Sequence, residues 1–90
     1  MRLFLITKVT FEDKKVIMVS DDTEEEVKDF LRLIAKIPVA PYIEGHPVNT
    51  AACYYDEEHD FAHLEGTDGY EVDITYKPIE TNHYIHDYLF

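Results

Sequence analysis

The residues best suited to chemistry are histidines that stand among acids between positions 56 and 65. His59 and His63 are four residues apart, so on a helix their side chains would share one face, as two ligands of one metal ion must. Further along the chain, His83 and His86 would supply two more nitrogen ligands. Because four protein ligands complete a structural zinc site, these histidines make a metal-binding module one candidate function.

The run His59-Asp60-Phe61-Ala62-His63 resembles the H-E-x-x-H signature of zinc metalloproteases over five residues, with aspartate in place of the glutamate. The resemblance implies a zinc-bound water, but an aspartate reaches less far toward that water. Structural zinc usually recruits cysteine, and the single Cys53 lies apart from the histidines. We therefore predict no metal, no cofactor and no catalytic residue, and keep the four-histidine site as the alternative.

Acids and tyrosines of the same region offer a different chemistry. Glu71 and Asp73 are two apart in a predicted strand, so both emerge on one face about 6.6 Å apart, which is twice the strand rise. Carboxylates at such spacing imitate a row of backbone phosphates, and tyrosine is enriched in protein interfaces. The predicted partner-binding residues are the acids and tyrosines of this surface: Asp56, Glu57, Glu58, Asp60, Glu65, Asp68, Glu71, Asp73, Tyr54 and Tyr55.

Charge is distributed unevenly along the chain. The 90 residues carry 19 acids and 8 bases, for a formal net charge of −11. Residues 1–36 are nearly neutral at −1, whereas residues 37–90 carry −10 together with all seven tyrosines and all five histidines. So much negative charge disfavours direct binding to nucleic acid or to anionic membranes. Solubility alone does not require such an asymmetry, so the acidic half is the candidate for function.

Three functional hypotheses follow from these features. In the first, a small cytoplasmic interaction protein inhibits a basic partner, such as a nuclease or another nucleic-acid-binding protein, by imitating nucleic acid. Small acidic α+β proteins that phages direct against host nucleases, anti-CRISPR proteins among them, are an analogy of size and charge for this DNA mimic. The alternatives are the metal-binding module and a homodimeric structural module with incidental acidity.

A single cysteine and the lack of a long apolar run predict a cytoplasmic chain without a membrane span.

The elements that must position these residues are clearest in the first half. Two apolar runs, at residues 2–9 and 15–20, predict a β-hairpin whose strands are covered on both faces. Thr23 and Glu26 have the spacing of a capping box at the start of a helix, and Pro38 ends that helix. The helix carries an apolar stripe at helical spacing: Val27, Phe30, Leu31 and Ile34.

The second half predicts shorter elements. Residues 38–47 contain three prolines, which predicts a rigid loop or at most an edge strand. Residues 48–55 are predicted as a strand, with the first turns of a helix as the alternative, and residues 56–65 as a short helix. A turn at 66–69 leads into a strand over 70–76 that Pro78 closes, and the apolar spacing from residue 82 onward is helical.

Together these elements predict one α+β domain over residues 1–90. Its sheet is mostly antiparallel, with an N-terminal β-hairpin, one long helix and one or two short C-terminal helices. Residues 1–36 form the hairpin–helix scaffold and residues 37–90 the acidic half that is rich in tyrosine and histidine.

Overall fold

The computed structural model describes residues 2–36 and 41–80. Its elements in chain order are strands β1 (Arg2–Val9) and β2 (Lys14–Ser20), helix α1 (Glu24–Lys36), strands β3 (Tyr42–Ile43) and β4 (His46–Pro47), a 3-10 turn (Thr50–Ala52), and strands β5 (Tyr54–Asp56), β6 (Phe61–Glu65) and β7 (Glu71–Glu80). Within these residues, no helix has the length and apolar character to cross a membrane.

Five of the strands form one antiparallel sheet in the order β2-β1-β7-β6-β5, and β3 and β4 form a separate two-stranded ribbon. Strand β7 is the longest: it pairs with β1 along residues 73–80 and with β6 along residues 71–74. Helix α1 packs against β5, β6 and β7 on one face of the sheet. The predicted α+β class, with its antiparallel sheet and N-terminal hairpin, is confirmed.

Helix α1 begins where the capping residues predict it. The backbone N–H of Glu26 donates to the Thr23 hydroxyl at 3.2 Å, and that hydroxyl donates to the Glu26 carboxylate at 3.0 Å. The helix contributes its predicted stripe, extended by Ala35, to the core: Val27, Phe30, Leu31, Ile34 and Ala35. The sheet contributes alternate residues of β1, β6 and β7: Phe4, Ile6, Ala62, Leu64, Val72 and Ile74.

The predicted hairpin is present, but only β1 is covered on both faces. Leu5 and Ile6, which point to opposite faces of β1, are 2% and 1% exposed. Strand β2, in contrast, is an edge strand, and its Ile17, Met18 and Val19 are 42 to 50% exposed. The prediction of a β2 covered on both sides is therefore wrong, because α1 lies over the far strands β5 to β7.

A register shift also interrupts the pairing of β1 with β2. Ile6 lies opposite Met18 and Thr7 opposite Val16, which leaves Ile17 as an extra residue in β2. An extra residue of this kind is a β-bulge, and it increases the local twist of the strand.

The predicted short helix over residues 56–65 is wrong. Residues 57–60 form a turn in which Asp60 has a φ of 55°, and the chain then continues as β6. Within β6 the buried Ala62 and Leu64 alternate with partly buried residues, which is the two-residue period of a strand. The predicted strand over 48–55 is also divided, into the 3-10 turn and β5.

The other predicted elements of the second half are largely present. The proline-rich segment forms the β3–β4 ribbon within its described residues 41–47, and the turn at 66–69 is confirmed. The predicted strand over 70–76 is present, but it does not stop at Pro78. Because β7 pairs with β6 only as far as Ile74, Pro78 removes no hydrogen bond between these two strands. The predicted helix from residue 82 lies outside the described residues.

The core predicts a sharp contrast between two leucines of α1. Leu31 is fully buried, whereas Leu33 is 52% exposed on the same helix. Leu31→Ala should lower the free energy of unfolding by about 2–5 kcal/mol, because it removes buried methyl groups and leaves a cavity. Leu33→Ala should change it by less than about 0.5 kcal/mol. Urea denaturation of both variants measures the difference, and equal losses would contradict this account of the core.

Candidate functional site on the sheet face opposite the helix

Alternation along β6 and β7 brings the candidate chemistry to the sheet face opposite α1. Because Ala62 and Leu64 enter the core beneath the helix, the intervening His63 points to the other face, as does Glu65. The register sets His63 opposite Asp73, and Glu65 opposite Glu71. We call the four residues of these two cross-strand pairs the histidine–carboxylate cluster: His63, Glu65, Glu71 and Asp73.

His63 is the centre of the histidine–carboxylate cluster. Its Nδ1 lies 2.8 Å from Oδ1 of Asp73, which is a hydrogen-bond distance. Its Nε2 lies 3.5 Å from Oε2 of Glu65 and 3.8 Å from Oε1 of Glu71. The His63 side chain is only 12% exposed, and its ring lies beside that of Tyr54 with centroids 5.0 Å apart. Both nitrogens of a half-buried imidazole are therefore aimed at carboxylates.

The electrostatic environment acts on His63 in two opposing ways. Burial by itself would lower the pKa of the imidazole, because it disfavours the charged form. The hydrogen bond and the charge of Asp73, together with Glu65 and Glu71, outweigh burial and raise the pKa above its ordinary value of 6.5. The histidine–carboxylate cluster therefore favours a positive charge at its centre.

An open cavity of about 500 Å³ lies beside the histidine–carboxylate cluster. Glu71, Asp73 and His63 supply its polar wall, and four aromatic rings supply much of the rest: Phe11, Tyr54, Phe61 and Tyr70. Tyr54 is 50% exposed and Phe11 is 84% exposed, so the rim presents aromatic surface to solvent. A cavity with carboxylates and aromatic faces is suited to a cation, because both kinds of group attract positive charge.

The predicted acids of the β5–β6 turn have a different role. Glu57 forms a two-pronged ion pair with Arg32 of α1, at 2.9 Å from both Nε and Nη2. Asp60 lies 3.5 Å from the Lys28 ammonium and accepts a hydrogen bond from the Tyr55 hydroxyl at 3.1 Å. Two of the predicted partner-binding acids, Glu57 and Asp60, therefore attach the turn to the helix.

Asp56, Glu58 and His59 lie within the same turn. The Asp56 carboxylate accepts the backbone N–H of Glu58 at 2.9 Å and that of His59 at 2.8 Å, and the His59 imidazole lies 3.2 Å away from it. The expectation that His59 and His63 share a helix face is wrong, because His63 belongs to a strand. His83 and His86 lie outside the described residues.

Asp68, the last of the predicted acids, pairs with a histidine that the sequence did not single out. Its carboxylate forms a close contact with Nδ1 of His46, whose ring stacks on Tyr70 with centroids 4.1 Å apart. The turn that carries Asp68 can lie against β4 because Gly66 has no side chain; a Cβ there would come within 3.2 Å of the Pro47 carbonyl oxygen. This His46–Asp68 pair is a further His–Asp contact, outside the histidine–carboxylate cluster.

Among the described residues, one group offers ligand atoms for a metal ion: His63, Glu65 and Glu71 present nitrogen and oxygen atoms within 4.8 Å of one another. Comparison of the chain with known protein families, with curated proteins and with solved structures found no match. Function must therefore follow from the chemistry of the site itself.

The ion pair between Arg32 and Glu57 predicts a pH-dependent stability. The hydrogen bond from Arg32 holds the pKa of Glu57 below its ordinary value of 4.5. A lowered carboxyl pKa stabilises the folded state above pH 4.5, and that contribution is lost as the pH falls through the folded-state pKa. The Glu57→Gln variant should therefore be less stable than the native protein at pH 7 and equally stable once Glu57 is protonated.

Chemical denaturation at a series of pH values tests this prediction. Glu58→Gln is the matched control: it removes the same charge from the next residue, whose exposed side chain has no ion pair or hydrogen bond among the described contacts. A stability difference as large for Glu58→Gln as for Glu57→Gln would show that net charge, rather than the pair with Arg32, is responsible.

Proposed function

We propose that this protein binds a basic partner protein through the sheet face opposite α1. The observation that carries the proposal is the convergence of two carboxylates, Glu71 and Asp73, with Tyr54 around one open cavity, on a chain with a net charge of −11. The partner's arginine or lysine side chains would meet fixed negative charge there, which steers association and selects basic surfaces. We further propose that the partner handles nucleic acid, as a nuclease does.

The cavity suits an arginine side chain from such a partner. Glu71 keeps 66% of its side chain exposed, and Asp73 keeps 42%, so both carboxylates are accessible to an incoming guanidinium. The ring of Tyr54 at the cavity wall, on a residue that is 50% exposed, can stack on the same group. A guanidinium would thus find bidentate acceptors and an aromatic face in one place, which is the recognition chemistry that arginine favours.

The contacts inside the molecule divide the ten predicted partner-binding residues into those that already have a partner and those that are available to another protein. Glu57, Asp60 and Tyr55 have partners on α1 or within the turn, so their groups are less available to another protein. Asp68 is similarly paired with His46. We therefore centre the interface on Glu65, Glu71, Asp73 and Tyr54. An inhibitor encoded by a phage and acting in a host cytoplasm fits this proposal. Such an inhibitor works by occupying a nucleic-acid-binding groove of its target, and it requires no active site of its own.

Charge reversal at a matched pair of positions tests the proposal. The probe is a peptide of nine arginines, titrated into the purified protein at low and at high salt. Glu71→Lys should weaken binding about tenfold or more, because it replaces an attraction by a repulsion at the cavity. The residual binding of this variant should also depend less on salt than that of the native protein.

Glu25→Lys is the matched control, since it makes the same change in net charge at a position on α1 whose side chain is 75% exposed. It should retain most of the affinity. Equal weakening by the two variants would show attraction by net charge alone and contradict the proposed interface. Unchanged affinity in the Glu71→Lys variant would contradict it as well. Tyr54→Ala should weaken binding without changing charge, because it removes an aromatic face from the cavity.

A further inference from the structure

We propose that His63, Glu65 and Glu71 bind a divalent transition-metal ion of the zinc type, with Asp73 as the residue that orients the imidazole. This ligand set is distinct from the four-histidine set that the sequence offers as an alternative: it keeps His63 and replaces the other histidines by carboxylates of β6 and β7. It does not depend on the proposed partner, because metal binding can be measured on the protein alone.

The distances from His63 Nε2 to the two glutamate carboxylates are close to those between two ligands of a tetrahedral ion. Two ligands that each lie about 2.1 Å from a tetrahedral zinc ion are about 3.4 Å apart. His63 Nε2 lies 3.5 Å from Glu65 and 3.8 Å from Glu71. Both separations exceed the 2.7–3.2 Å range of an N–H···O hydrogen bond. A metal ion between these atoms therefore fits their spacing.

Asp73 prepares His63 for this role. At 2.8 Å, the carboxylate can accept a hydrogen bond from Nδ1–H, so the neutral imidazole keeps its proton on Nδ1 and its lone pair on Nε2. Nε2 is the nitrogen that faces Glu65 and Glu71. A histidine whose second nitrogen is held by a carboxylate is the usual arrangement behind a metal-bound imidazole.

The types and number of the ligands determine which ion can bind and how it is coordinated. An imidazole nitrogen with two carboxylate oxygens selects zinc-like ions over magnesium, which prefers oxygen ligands alone and keeps its waters. Three protein ligands leave a fourth position for water or for a group from outside the protein, and two of these ligands, His63 and Glu71, line the open cavity. Since the ion and a basic side chain would use the same carboxylates, the two would exclude each other.

Calorimetric titration of the purified, chelator-treated chain with zinc chloride tests the proposal. The native protein should bind one Zn²⁺ and should not bind Mg²⁺ under the same conditions. Glu65→Gln and Glu71→Gln should each weaken zinc binding at least about tenfold, since each removes a charged ligand. The Glu71 side chain is mostly exposed, so Glu71→Gln should fold normally. This variant can therefore test the proposal even if substitutions at the more buried His63 disturb folding.

Asp73→Asn tests the orienting role separately. It should weaken zinc binding about 10- to 100-fold, the range typical of residues that orient a metal ligand. In nitrogen NMR spectra of the metal-free protein, recorded at alkaline pH where the imidazole is neutral, His63 should carry its proton on Nδ1 in the native chain and lose that preference in the variant. A change in stability without a change in tautomer would assign Asp73 a purely structural role.

His46→Gln is the matched control, because His46 also contacts an aspartate through Nδ1 but lies outside the histidine–carboxylate cluster. It should leave zinc affinity unchanged. The proposal is overturned if the native chain binds no zinc, if Glu71→Gln binds as tightly as the native protein, or if His46→Gln loses as much affinity as the ligand variants. None of these outcomes bears on the arginine peptide, so the two proposals fail or stand separately.

Discussion

The pairing of β7 with β1 on one side and with β6 on the other holds this structure together. Strand β7 is the only link between the N-terminal hairpin and the strands of the acidic half within the described sheet. The two-residue period of β7 also places apolar side chains on one face of the sheet and acidic side chains on the other. Val72 and Ile74 face the helix and close the core, while Glu71 and Asp73 face the opposite side. One strand thus supplies both the hydrophobic attachment and half of the histidine–carboxylate cluster.

The hairpin and α1 could be predicted because their signals are long and local. A capping pair followed by an apolar stripe leaves few alternatives to a helix, and two apolar runs around a polar turn leave few alternatives to a hairpin. The strand that contains Val72 and Ile74 was equally clear, since seven residues alternate between apolar and polar. In each case the information lies within one element and needs no knowledge of its neighbours.

The error at residues 56–65 shows where local signals fail. Phe61–Glu65 has only five residues, too few for its alternation to be separated from a helical turn. The strand forms because β7 and β5 lie on either side of it, which is tertiary information.

The contact of His46 with Asp68 was missed for a similar reason, because the two residues are 22 positions apart and meet only through the turn at Gly66. The acids of the site were found from composition, but their division into paired and available groups depends on contacts with α1.

The bulge at Ile17 has a consequence for how this chain behaves among its own copies. Strand β2 exposes Ile17, Met18 and Val19 at an outer edge of the sheet, and such an edge is a template onto which another chain can add a strand and begin a fibril. The extra residue breaks the regular spacing of backbone donors and acceptors along that edge, and Lys14 and Lys15 add like charge at one end of it. An irregularity in the backbone thus makes this edge a poorer template for edge-to-edge aggregation.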